Sequence, residues 1–91
     1  MDRDREAVSA WRWVPDPDRG GGELRLPGVG RVRVVVEAHL VRLLPQGRAR
    51  VYLYGTGLVP SDAPLYAARR QAAYWQLRDL GFRPPMEWVA E

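Results

Sequence analysis

Alternation of apolar and polar positions is the strongest pattern in the chain. From Arg31 to Leu44 the even positions carry Val32, Val34, Val36, Ala38 and Leu40, and the odd positions carry Arg31, Arg33, Val35, Glu37 and His39. A period of two with β-branched residues predicts a strand with one buried and one wet face. The run is long for one strand, so a bulge is expected near Ala38–Leu40. Pro45-Gln46-Gly47 reads as a reverse turn, and Arg48 to Tyr54 alternates again, with Ala49, Val51 and Leu53 opposite Arg48, Arg50, Tyr52 and Tyr54. The two runs predict an antiparallel hairpin. Glu23 to Pro27 alternates over a shorter span and predicts a first strand, closed by the turn Gly28-Val29-Gly30.

The period then changes. Pro60-Ser61-Asp62 reads as a helix start capped by Ser61 or Asp62, with Pro64 in the first turn. Leu65 to Leu80 predicts one long helix, ended by Gly81 and by Pro84-Pro85. Leu65, Ala68, Ala72 and Trp75 form one stripe on it; Tyr66, Ala73, Leu77 and Leu80 form another. One stripe packs on the sheet. The other takes the N-terminal arm, the tail, or a second copy in a homodimer. Residues 1–22 read as an irregular arm: the charge run Asp2 to Glu6, then Trp11 and Trp13, then a Pro/Asp/Gly series whose three glycines make a flexible joint. The tail from Met86 to Glu91 packs through Trp88.

The fold class that follows is α+β: a three-stranded antiparallel sheet packed against one long C-terminal helix, as a single small domain over residues 23–91. The expected core is Leu24, Leu26, Val32, Val34, Val36, Ala49, Val51, Leu53, Ala68, Ala72, Leu77 and Leu80. Ninety-one residues at 46% hydrophobic are enough for one core and too few for two. No apolar run approaches membrane-spanning length, and the first ten residues show no signal-peptide core, so a cytoplasmic location is expected.

Composition narrows the chemistry. There is no cysteine, which excludes disulfides, thiolate metal sites and cysteine nucleophiles. There is also no Lys, Asn or Ile, residues that share A/T-rich codons, so a GC-rich bacterial or phage genome is the simplest source. His39 is the only histidine, and no metal-binding spacing surrounds it, so neither a metal nor a cofactor is expected. Ser61 suits a helix cap rather than a nucleophile, and neither Gly20-Gly21-Gly22 nor Gly28-Val29-Gly30 has the context of a phosphate-binding loop. An enzyme is therefore not expected.

Charge is unevenly placed. Residues 1–23 hold six acids against four arginines, 24–60 hold six arginines against Glu37 alone, and 61–91 hold four of each. The wet hairpin face thus collects Arg31, Arg33, His39, Arg48, Arg50, Tyr52 and Tyr54. Arginine neutralises phosphate and tyrosine stacks on bases, so these seven form the candidate surface of a regulatory or accessory nucleic-acid-binding module, for DNA or RNA. The alternative is a protein-binding module, such as a phage-encoded inhibitor or an adaptor subunit, acting through Trp11, Trp13, Trp75 and Trp88.

Two stretches carry a resemblance. Gly55-Thr56-Gly57 and Ala68-Arg69-Arg70-Gln71-Ala72-Ala73 resemble the last strand end and the helix of double-stranded-RNA-binding domains. Leu65 and Tyr66 stand where that family has paired lysines. The order of strands and helix also resembles phage-integrase arm-binding domains. Both resemblances imply a nucleic-acid partner.

Overall fold

A computed structural model describes residues 11–58, 63–83 and 85–89. It is α+β, with one mixed five-stranded sheet and two helices. The strands are β1 (Arg12–Asp16), β2 (Gly21–Leu26), β3 (Gly30–Glu37) and β4 (Leu40–Gln46); the helices α1 (Arg48–Tyr54) and α2 (Pro64–Asp79) follow, then β5 (Met86–Trp88). The strands lie in the order β1-β2-β3-β4-β5. The first four pair antiparallel and β5 pairs parallel to β4. The α+β class agrees with the sequence; the sheet is larger than the three strands expected, and there is a second helix.

Each difference has a local cause. The long run Arg31–Leu44 is two strands, because the chain reverses at Ala38-His39 and Glu37 pairs Leu40. Two-residue hairpin turns usually announce themselves with Gly or Asn at positive φ. Neither Ala38 nor His39 has positive φ, so the turn carries no such signature. The reversal also switches parity: Val32, Val34 and Val36 face the same side as Pro45, Leu43 and Val41.

Arg48–Tyr54 is helix α1 rather than a strand. Over seven residues the two periods overlap. Ala49 and Leu53 are inward in either reading, at i and i+4 of a helix or i and i+4 of a strand. The arbiter is Val51, which a strand would bury and which is 53% exposed. The strand expected before Gly55-Thr56-Gly57 in the RNA-binding resemblance is therefore absent from its place.

Within the stretch read as an irregular arm, residues 12–16 form edge strand β1, which pairs Trp13 with Leu24 and Val14 with Glu23. Pro15 lies on this edge, where a missing N–H is tolerated and discourages a further strand from adding. Gly20 has φ +77° in the β1–β2 turn. Gly22 is not part of a flexible joint but sits buried in β2, and a Cβ there would approach the Trp13 indole to 2.9 Å. Its lack of a side chain leaves room for that ring.

The core lies between the sheet and the helices. Leu24, Leu26, Val32, Val34, Val41 and Leu43 supply the sheet side, Leu53, Ala73 and Leu77 the helix side, and Trp11 one margin. Of the expected core, Val51 on α1 and Leu80 just past the end of α2 are exposed, Ala68 faces out, and Val36 and Ala72 are half-buried. Of the two stripes, the one through Ala73 and Leu77 packs on this chain's own sheet. The outward stripe carries Leu65 and Trp75.

Helix α2 starts with Pro64 at its first position and no side-chain cap; Ser61 and Asp62 lie outside the described residues. It ends as its sequence indicates. Gly81 takes φ +105°, its N–H bonds the Arg78 carbonyl at 2.9 Å, and the Phe82 N–H bonds the Leu77 carbonyl at 3.2 Å. This is the Schellman pattern. Phe82 then meets Trp13 edge-on at 5.1 Å. The chain after it returns to the sheet as β5, where the Val41 N–H bonds the Pro85 carbonyl and the Val89 N–H bonds the Leu43 carbonyl, each at 2.9 Å. Among the described residues no helix is long and apolar enough to cross a membrane.

Candidate nucleic-acid interface

The register of the antiparallel strands fixes which side chains share the face opposite the helices, because directly paired residues point the same way. At one end of that face Arg12, Arg25, Arg31 and Gln46 form a row across β1 to β4. Arg48, two residues beyond β4, extends the row. The next row is Val14, Glu23, Arg33 and Leu44; the third is Asp16, Gly21, Val35, Arg42 and Glu87. The face is therefore polarised along the strands, basic at one end and mixed at the other.

The basic row borders an open groove of about 760 Å³ that runs over the β2–β3 turn. Among the described residues its lining contains Arg12, Arg25, Arg31 and Arg48 and no carboxylate. Glu23 in the next row holds two of these arginines in place, bonding Arg25 Nε at 2.8 Å and reaching Arg31 Nη1 at 3.5 Å. Gln46 Oε1 accepts from Arg31 Nε at 3.2 Å. The guanidinium side chains of Arg25 and Arg31 nevertheless remain about half exposed, at 53% and 52%. Pairs of this kind in solvent contribute little stability, so the charges stay available to an anion. At the other end Arg42 pairs with Glu37 at 3.2 Å.

The seven residues singled out from sequence do not form one surface. Arg31 and Arg33 project from β3 on the helix-free face, and Arg48 stands at the groove margin. His39 is exposed at the β3–β4 turn, at the end remote from the basic row. Arg50 lies on α1 and its Nε donates to the Pro45 carbonyl at 3.2 Å. Tyr52 and Tyr54 are on the helix side. Arg69 stacks on the Tyr52 ring at 4.1 Å and donates to its carbonyl at 2.8 Å. Arg70 stacks on Tyr54 at 4.8 Å and donates to the Leu53 carbonyl. These two arginines satisfy carbonyls that the last turn of α1 leaves without helical partners. Burial raises the Tyr54 phenol above its ordinary value of 10.0, and the nearby Arg70 charge pulls it part of the way back. Both tyrosines belong to the packing of α1 against α2, not to a stacking platform.

Arg12 and Arg25 are the members of the row that the sequence did not indicate. Their signal was present: Arg12 alternates with Trp11 and Trp13, and Arg25 with Leu24 and Leu26. Of the four tryptophans, Trp11 is buried, with its carbonyl accepting from Gln76 Nε2 at 2.9 Å. Trp13 and Trp88 pack against the core. Only Trp75 is exposed, at 51%, with the Arg78 guanidinium 5.1 Å from its ring centroid. Among the described residues no group of three His, Asp or Glu side chains converges to hold a metal ion. No family model matches the chain, and no curated protein or solved structure is detectably similar to it.

Proposed function

We propose that this chain is a non-enzymatic nucleic-acid-binding module, regulatory or accessory in role, that meets its partner with the helix-free face of the sheet. One observation carries the reading: the row Arg12, Arg25, Arg31 and Arg48 along a groove with no carboxylate among its described lining. Strands repeat about every 4.8 Å, so the row sets positive charges on β1, β2 and β3 over roughly 10 Å, with Arg48 beyond Gln46. That suits a polyanion, whose phosphates release counterions when arginines replace them. The guanidinium fork also accepts two phosphate oxygens at once.

The test is fluorescence anisotropy with labelled nucleic acid at low and moderate salt. Binding that weakens with salt, and weakens further in Arg12→Ala and Arg31→Ala, is the expected result. Unchanged affinity in the double variant would overturn the assignment of this face. A protein-contact reading is favoured by one feature, the exposed Trp75 beside Arg78. Trp75→Ala separates the two, since it lies on α2 and leaves nucleic-acid affinity unchanged under the present reading.

A further inference from the structure

We infer, on the footing of that reading, that the face takes a duplex in preference to a single strand, and grips it along one phosphate backbone. The first ground is where the aromatic rings lie. Trp13, Tyr52, Tyr54, Phe82 and Trp88 pack against the core, and Trp11 is inside it. The remaining described rings, Tyr66, Tyr74 and Trp75, belong to α2. The rows of the helix-free face contain Arg, Glu, Asp, Gln, Gly, Val and Leu, and no aromatic residue. Proteins that hold single strands rely on rings on which successive bases stack, and this face presents none.

The second ground is charge density. A duplex offers one phosphate per about 1.7 Å of axis, against about 3.4 Å for each strand taken alone. Even where one backbone is met, each phosphate neutralised on the denser array releases more counterion, about 0.9 against about 0.7 on a single strand. The third ground is the polarity of the face. Two rows along the strands from Arg12, or about 13 Å at 3.3 Å per residue, Asp16 stands at the β1 edge and Glu87 pairs with Arg42. A second backbone, one major-groove width of about 12 Å away, would fall on that mixed row rather than on a second arginine row. The match is to one backbone, and to no more than the four arginines of the first row.

Counterion release turns this into a number. Four phosphates on B-form DNA give a slope of log affinity against log salt no steeper than about −3.6, and each arginine removed flattens it by about 0.9. The experiment titrates the intact chain against a short labelled DNA duplex and against one of its strands alone, across a salt series. The duplex is expected to bind several-fold more tightly, with a slope at or below that limit, and Arg12→Ala is expected to flatten it, while Arg83→Ala, at an exposed residue after Phe82 and outside the row, does not. A strand that binds as tightly as the duplex overturns this inference and leaves the nucleic-acid reading standing. A slope much steeper than the limit overturns the single-backbone grip. Failure of both to bind at low salt overturns the inference together with the reading it rests on.

Discussion

The two faces of the sheet use the same residue types to opposite ends. On the helix side Arg69 and Arg70 lie over tyrosine rings and donate to the carbonyls that close α1. On the other side Arg12, Arg25, Arg31 and Arg48 border an open groove. An arginine count alone therefore does not locate a binding surface. What distinguishes the two sets is the neighbour: a backbone acceptor and an aromatic face consume the donors of the first, whereas Glu23 and Gln46 only steer members of the second.

The largest effect that bears on this contrast is in the core between the faces. Leu77→Ala removes a fully buried side chain facing the sheet and is expected to lower stability by about 2–5 kcal/mol, read by chemical denaturation. A folded fraction of that variant should keep its salt-dependent binding, because the groove is on the far side. Next comes a pair that sets the arginines against each other. Arg69→Ala removes a charged hydrogen bond and a ring contact, and should cost about 1–3 kcal/mol. Arg12→Ala should change stability by less than about 0.5 kcal/mol while weakening nucleic-acid binding. Equal stability losses in the two would erase the distinction.

The smallest effect is on Tyr54. Its raised pKa means that the folded state holds the phenol proton more tightly than the unfolded chain does. The resulting stability is complete below the ordinary value of 10.0 and is lost as pH rises through the folded value. Tyr54→Phe should remove this alkaline loss, seen as a shallower fall in denaturation midpoint above that pH, with little change near neutrality.

Much of β2 and β3 was legible because a buried valine or leucine at every second position admits one reading. The Ala38-His39 reversal was not, since neither residue carries the usual turn chemistry and the alternation runs almost unbroken through it. Helix α1 was hidden for a different reason: Ala49 and Leu53 satisfy both periods, and tertiary packing decided between them. Pro15 within β1 and Pro17 just after it concealed an edge strand, and with it Arg12. For the candidate site, Arg31, Arg33 and Arg48 could be picked out from alternation. Tyr52 and Tyr54 could not be excluded, because their place on the helix side follows from α1 being a helix.

The parallel pairing of β4 with β5 joins Val41 to Met86. Every other strand pair is a hairpin of near neighbours in the chain. Closing a loop through both helices sacrifices more chain entropy than closing any hairpin, and nothing offsets that until the helices are in place. The three residues of β5 are thus expected to dock last during folding and to detach first under stress, making the C-terminal segment the kinetic latch of the molecule.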